Sequence, residues 1–484
     1  MRKFRGRVCI WPAGSLALVV LTGLIVSVSP SVAYATDAQK YPISSRSGER
    51  LTLSQSISIA VTRNLRITDA RLAVEEKEHV RREAFSDFFP TVDFQYTATG
   101  YRYMQSSNVN ALSGNQPGRW TLRYNGQYTS VGTPTYVQPQ TPYRIDPFRF
   151  FTMTATMTQP IFTGGKLLND YKYARLGVDY SALQYSLSIQ DLALEVVQAY
   201  YQLVQAQKLL EVADQSIQAL EALKNQTLQF YKAGTVAKVD VLSTEGQLAQ
   251  ARIQKTQDLT DIQKQTAQLN YLLRYPQETP TQVVQDIAYK PNTYRIPDIY
   301  ATAAANRLEI RQANISVEQA LALVKVAKAD LLPTVSASAQ GSRYNDDWNT
   351  FDPEGTNDWR VQGLLAWGFD VFRKRETVKE KRVSQARAFV AREQLVEQIM
   401  NDVKSAYLDM KRSESDISDN RKAVEYRTEN FRINRERYKE QVATYIEVLD
   451  AQRQLAQAQG DYYISLISYR INQAVLERQM GTLR

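Results

Sequence analysis

The stretch VDVLSTEGQLAQAR, from Val239 to Arg252, returns later in the chain as IEVLDAQRQLAQAQ, from Ile446 to Gln459. Both segments place an acidic residue before Val-Leu and then share Gln-Leu-Ala-Gln-Ala. Two matching segments 207 residues apart indicate a duplication that involves much of the chain.

The duplication extends over most of the sequence. A shift of 243 residues places the segment that begins at Asn64 on the one that begins at Arg307, and Pro-Thr-Val at 90–92 on Pro-Thr-Val at 333–335. The two shifts differ because the first copy contains an insertion, Ser106 to Pro147, whose Gly, Pro, Asn and Gln residues predict a loop. Each copy is therefore predicted to hold a helix, strands, a very long helix, a turn and a return helix.

This pattern predicts how the 484 residues are divided. The predicted segments are a signal peptide at 1–35, an N-terminal segment at 36–50, a first repeat at 51–275, a linker at 276–297 and a second repeat at 298–484.

The N-terminus has the features of a secretory signal. Basic residues precede an apolar run from Leu16 to Val28, and small residues follow at Ala33 and Ala35. An uncleaved anchor is the alternative. Cleavage would remove Cys9, the chain's one cysteine, and part of the net charge of +9, leaving a balance too weak to indicate nucleic-acid binding. Because no later apolar run reaches the roughly 20 residues of a membrane helix, a β-barrel is the remaining way to cross a membrane.

The long helices have coiled-coil periodicity. Apolar residues follow one another at alternating spacings of three and four, which is typical of left-handed supercoiling. The pattern predicts a helix from about 165 to 231, a turn at Gly234 and a return helix from 240 to 273, with counterparts at 374–438 and 447–480 and single helices at 51–86 and 298–332. The first seam consists of Leu192, Val196, Ala199, Leu203, Ala206, Leu210, Ala213, Ile217 and Leu220.

Four segments alternate between apolar and polar residues with a period of two. They are predicted strands at about 91–103, 148–162, 334–344 and 358–371. Strands of about ten residues with one apolar face are typical of outer-membrane barrels. Four strands cannot close a barrel, but two chains would supply eight and three chains twelve, which leaves room for an aqueous channel. The alternative is an antiparallel sheet packed on a soluble core.

The sequence resembles the TolC-like outer-membrane efflux proteins over nearly the whole mature chain. The resemblance is carried by the paired Pro-Thr-Val motifs, by QPIFTGGKL at 159–167, and by the turns around Gly234 and Asp450. It implies a mixed α/β, mostly α fold and a homotrimer in the outer membrane. Four strands per chain would contribute to a 12-stranded transmembrane β-barrel in contact with lipid, above a periplasmic coiled-coil tunnel. It also implies docking to a periplasmic adaptor protein and an inner-membrane transporter.

The resemblance assigns functions to the residues at the two turns. Glu447 and Asp450 match an acidic gate ring, which is expected to attract cations because nothing basic is expected beside it. Tyr438 and Asp240 match a clasp between helices. The predicted adaptor contacts are Ala233, Gly234, Thr235, Glu440, Gln441 and Val442.

Other functions are less well supported by the sequence. The single histidine, His79, lies among glutamates on a polar helix, which is more typical of a solvated face than of a metal site. Gly164-Gly165-Lys166 lacks the spacing of a phosphate-binding loop and instead suits a strand-to-helix turn. We therefore predict no enzyme and no cofactor, and retain a periplasmic coiled-coil protein without a pore as the alternative function.

Overall fold

A computed structural model describes residues 50–101, 121–124, 127–130, 148–346, 348 and 355–483. The predicted signal peptide, most of the N-terminal segment and most of the insertion lie outside the described residues. The chain forms two compact units. One contains the chain up to Thr68 with Leu192–Tyr289 and Asp416–Ile471, and the other contains Asp69–Asp191, Lys290–Ser415 and the chain from Asn472.

The fold is mostly helical, as predicted. Within the described residues, no helix combines the length and the apolar character needed to cross a membrane. The helices are α1 Leu53–Arg63, α2 Leu65–Ser86, α3 Lys166–Lys232, α4 Lys238–Leu273, α5 Ile296–Asn306, α6 Leu308–Ala329, α7 Val371–Lys439 and α8 Tyr445–Gln479. The strands are β1 Arg50–Leu51, β2 Thr91–Tyr101, β3 Thr121–Tyr124, β4 Gln127–Ser130, β5 Phe148–Phe162, β6 Gln282–Val283, β7 Thr334–Asn345 and β8 Thr356–Ala366.

The single helices predicted at 51–86 and 298–332 are each two helices. Asn64 takes extended backbone angles between α1 and α2, with φ −68° and ψ 133°, and Arg307 does the same between α5 and α6, with φ −61° and ψ 118°. The Asn64 side chain stabilises its break because its Oδ1 accepts from the Arg66 amide at 3.0 Å, and its Nδ2 donates to the Leu272 carbonyl at 3.1 Å. Arg307 likewise donates to the Gln479 carbonyl at 3.3 Å.

The four long strands form one antiparallel sheet in the order β2-β5-β7-β8. β8 was predicted to run to 371 but ends at Ala366, which pairs with Thr334, the first residue of β7. Pro333, just before β7, has no backbone N–H with which to extend a ladder.

The predicted loop of the insertion contains regular structure. Within it, β3 and β4 pair as a short antiparallel hairpin, with Tyr124 opposite Gln127. The intervening residues in the sequence are Asn125 and Gly126, a dipeptide that strongly favours two-residue hairpin turns.

The first unit contains a small parallel sheet, in which β6, inside the predicted linker region, pairs with β1 near the start of the described chain. The buried Tyr200 hydroxyl lies 2.6 Å from the Val284 carbonyl and 3.2 Å from the Leu51 carbonyl, so one side chain of α3 contacts β1 and the residue that follows β6. Burial raises the pKa of Tyr200 to about 12, which keeps the hydroxyl protonated as a donor.

Buried arginines organise part of the second unit. Arg478 of α8 contacts Asp191 at 2.7 Å and Glu309 at 3.0 Å, and Arg307 contacts Glu309 at 3.0 Å. Burial lowers the pKa of Arg307, and the charge of Glu309 opposes that shift. The C-terminal end of α8 is thus connected to the break between α5 and α6.

Candidate functional site

The first turn joins α3 to α4 and depends on a glycine. Gly234 has φ +75°, in the left-handed region where residues with a Cβ are strained. The Thr235 amide donates to the Phe230 carbonyl at 3.0 Å and the Gly234 amide to the Tyr231 carbonyl at 2.9 Å, which satisfies carbonyls at the end of α3. Ala233, Gly234 and Thr235, predicted to contact an adaptor, are all exposed.

The second turn joins α7 to α8 and has the same backbone form without a glycine. Gln441 occupies the left-handed position, with φ +60°. The Val442 amide donates to the Arg437 carbonyl at 2.8 Å, the counterpart of the bond from Thr235. Glu440, Gln441 and Val442 are exposed, as are their counterparts in the first turn.

Tyr438 lies in a small core beneath these turns. Its ring is buried with Leu223 and Val448 and meets Phe230 edge-on, with centroids 5.5 Å apart. Its hydroxyl lies 3.1 Å from that of Thr227, which in turn lies 3.0 Å from the Leu223 carbonyl. Burial raises the pKa of Tyr438 above its ordinary value of 10.0, and the nearby charge of Asp240 adds to the shift.

Asp240 was predicted to clasp Tyr438, and within this chain its carboxylate has another partner. Its Oδ2 accepts from the Ala237 amide at 3.3 Å, at the start of α4. An acidic side chain there also interacts favourably with the helix dipole. The clasp between Tyr438 and Asp240 stays a prediction.

Glu447 has a structural function at the start of α8. It forms a capping box with Thr444, whose amide and hydroxyl lie 3.3 Å and 3.1 Å from the Glu447 Oε1. The bond from the Thr444 amide lowers the pKa of Glu447, followed by the bond from the hydroxyl, and Arg437 adds to the shift from 3.8 Å. Its side chain is exposed, so it can contribute charge to solvent as well as cap the helix.

Asp450 lies one helical turn further along α8. Its Oδ1 accepts from Arg453 at 2.5 Å and its Oδ2 from Gln454 at 2.7 Å. The expectation that nothing basic lies beside the two acids is therefore wrong. The signal was in the sequence, because a residue three positions along a helix shares its face. That Glu447 and Asp450 form a gate ring stays a prediction.

Two exposed apolar residues beside the turns were missed by the sequence analysis. Val239 at the start of α4 and Ile446 at the start of α8 are each 59% exposed. They occupy equivalent positions in the two matching segments, 239–252 and 446–459. The match between the two segments is the sequence signal from which Val239 and Ile446 could have been predicted as equivalent residues.

Two features predicted from the sequence to be structural are the polar helix around His79 and the Gly164-Gly165 pair. Over the part of the chain that the structure describes, no three His, Cys, Asp or Glu side chains are grouped to hold a metal ion. Gly164 and Gly165 have φ +63° and +84° between β5 and α3, as expected for a strand-to-helix turn.

Comparison with known proteins identifies the family. A family model described as outer membrane efflux protein matches residues 56–273 and 299–482. Nodulation protein T of Rhizobium leguminosarum bv. viciae is 25% identical over 285 residues, which are 56% of this chain and 56% of that protein. The toluene efflux pump outer membrane protein TtgF of Pseudomonas putida is 23% identical over 291 residues, 58% of each. The chain thus spans little more than half the length of these relatives.

The fold itself has solved counterparts. The structure of the outer-membrane channel OprN superposes with a TM-score of 0.70 at 17% identity, covering 92% of this chain and 91% of that one.

Proposed function

The chain belongs to the outer membrane efflux protein family, and from that membership we propose that it is the outer-membrane channel of a tripartite efflux or type I secretion system. It is a TolC-like, non-enzymatic protein of the outer membrane, with a periplasmic helical portion. The proposal is that three copies form a continuous duct for a substrate delivered by an inner-membrane transporter through a periplasmic adaptor.

The four-stranded sheet carries this proposal, because its two faces differ in polarity. On one face, Phe94, Ala155, Gly341 and Trp359 are successive cross-strand neighbours, and Phe94 and Trp359 are 61% and 79% exposed. On the opposite face, the neighbouring row is Asp93, Thr156, Gln340 and Arg360. An exposed apolar face that continues across four strands is suited to lipid, and a polar face behind it is suited to an aqueous interior.

The sheet also has two open edges. Within the described residues, β2 and β8 each pair with a strand on one side only, and each is 11 residues long. Long unpaired edges are avoided in stable proteins. We propose that β8 of one copy pairs with β2 of the next, so that three copies close a barrel of twelve strands.

The two turns are the proposed docking points for the adaptor. Each presents exposed backbone in a tight turn and an exposed apolar neighbour, Val239 or Ile446. The two turns have the same backbone form, which supports our proposal that the chain arose by tandem duplication. Since each chain has two such turns, we propose that three copies present six docking points.

Native mass measurement of the detergent-extracted protein tests the trimer, and planar-bilayer recording tests the channel. We expect a three-chain mass and stepwise conductance. A protein recovered from the soluble periplasmic fraction as a monomer would instead support the coiled-coil protein without a pore.

A further inference from the structure

Acidic residues do not outnumber basic ones around either turn. Around the second turn, residues 432–453 contain five basic and four acidic side chains. The basic ones are Arg432, Arg435, Arg437, Lys439 and Arg453, and the acidic ones are Glu436, Glu440, Glu447 and Asp450. Around the first turn, two accompany two: Lys232 and Lys238 against Asp240 and Glu245. Neither turn therefore has an excess of negative charge.

Arg453 is the basic residue in direct contact with Asp450. Its guanidinium lies 2.5 Å from Asp450, and both side chains are accessible to solvent, at 73% and 45% exposure. The other Asp450 oxygen is bound by Gln454, whose own oxygen accepts from Arg427. Asp450 is thus held from two sides in an orientation that places a positive charge directly beside it.

The effect of this ion pair on passing ions does not depend on how much the pair stabilises the fold. Exposed ion pairs contribute little to stability. The potential in a narrow aperture depends instead on the sum of the fixed charges within a Debye length, about 10 Å at 0.1 M salt. A guanidinium that stays near Asp450 cancels its effect on passing ions whether or not the pair is tight.

We infer that Arg453 cancels the charge of Asp450, so that the turn region forms an aperture that admits anionic solutes which an uncompensated acidic ring would repel. This inference rests on the proposed channel function, since it names the class of solute that the same aperture passes. Arg453 is then a specificity-determining residue, and Glu447 with Arg437 makes a second compensated pair at 3.8 Å.

The test compares the full-length wild type with Arg453→Gln in planar bilayers at low salt, across a KCl gradient. Arg412→Gln is the matched control, because Arg412 is equally exposed on α7, at 72%, and faces Asp409 three residues away. Binding of hexamminecobalt(III) to the detergent-solubilised protein gives a second readout that does not require an open pore.

We expect the wild type to be weakly selective between K⁺ and Cl⁻ and to bind hexamminecobalt(III) weakly. Arg453→Gln should raise the K⁺ preference and the cobalt affinity about tenfold, and Arg412→Gln should change neither. A strongly cation-selective wild type, or an Arg453→Gln variant with unchanged selectivity and cobalt binding, would overturn the inference. If no variant conducts and the protein is monomeric, the proposed function falls, and the inference falls with it.

Discussion

The hydroxyl of Tyr438 on α7 lies 3.1 Å from the hydroxyl of Thr227 on α3, inside the small core beneath the turns. Because the Thr227 hydroxyl donates to the Leu223 carbonyl, Tyr438 acts as the donor in this pair. The contact joins the two long helices at their ends in the first unit. Within one chain, Thr227 is the hydrogen-bond partner of Tyr438, and the clasp with Asp240 that the resemblance implies stays a prediction.

Tyr438→Phe should destabilise the protein by about 0.5–1.5 kcal/mol, the typical value for one lost hydrogen bond. A double-mutant cycle, measured by thermal unfolding, should show coupling with Thr227→Val and little with Asp240→Asn. Tyr231→Phe is the control, because Tyr231 is the counterpart of Tyr438 in the first repeat and is exposed. Strong coupling to Asp240 and none to Thr227 would favour the clasp instead.

Gln441→Gly should stabilise the protein by about 0.5–1 kcal/mol, because glycine adopts φ +60° without steric cost. Gly234→Ala should destabilise it by about 1 kcal/mol for the same reason. Gly246→Ala is the control: Gly246 lies within α4 with nothing within 4 Å of an added Cβ, so alanine should stabilise it through helix propensity. Thermal midpoints that fall for all three substitutions would contradict the backbone argument.

Val361→Lys and Gln362→Lys test the proposed orientation of the sheet. The residues are neighbours on β8 and face opposite sides, and Val361 is 69% exposed on the apolar face. A lysine facing lipid costs about 2–4 kcal/mol near the midplane, whereas one facing an aqueous interior costs little. We expect Val361→Lys to reduce the amount of assembled trimer in membranes and Gln362→Lys to leave it nearly unchanged. Equal yields would place the apolar face away from lipid.

The capping box at Glu447 should be sensitive to acid. The pKa of Glu447 is lowered below its ordinary value of 4.5, so the carboxylate contributes stability above pH 4.5 and loses it as the pH falls through the lower folded value. The thermal midpoints of wild type and Glu447→Gln should therefore differ at about pH 6 and converge in acid. Glu440→Gln, on the other side of the turn, is the control, because this exposed side chain lies outside the capping box. A difference that persists unchanged at about pH 3 would exclude the charged cap.

The long helices could be predicted closely, because their ends are marked by local chemistry. Gly234 ends α3 and Pro276 follows the end of α4, and a repeated phrase identified the second pair. The breaks at Asn64 and Arg307 were missed because both interrupt periodic patterns, and Arg307 has no turn propensity to mark it. Its extended backbone is accompanied by bonds to carbonyls far along the chain, at 478 and 479, which no local pattern reports.

The candidate site was predicted less completely than the fold. Its positions followed from the two turns, but the contacts of its side chains did not. Arg453 lies three residues after Asp450, a helical spacing from which the contact could have been predicted. Thr227 lies 211 residues from Tyr438, and no local pattern joins the two. The two-residue strands β1 and β6 are too short to have a periodicity, so only tertiary structure places them together.

Asn64 and Arg307 each stabilise a break between two helices, but they do so with different chemistry. A small amide donates to Leu272 in the first case, and in the second a long guanidinium donates to Gln479 while contacting Glu309. An asparagine at 307 would be too short to reach both partners, and an arginine at 64 would bring a charge to a position that an uncharged amide now fills. The side chains at positions 64 and 307 are thus not interchangeable. A hybrid gene that encodes residues 51–275 twice would therefore place an asparagine where Arg307 now contacts Gln479 and Glu309, and the second break would lose both contacts.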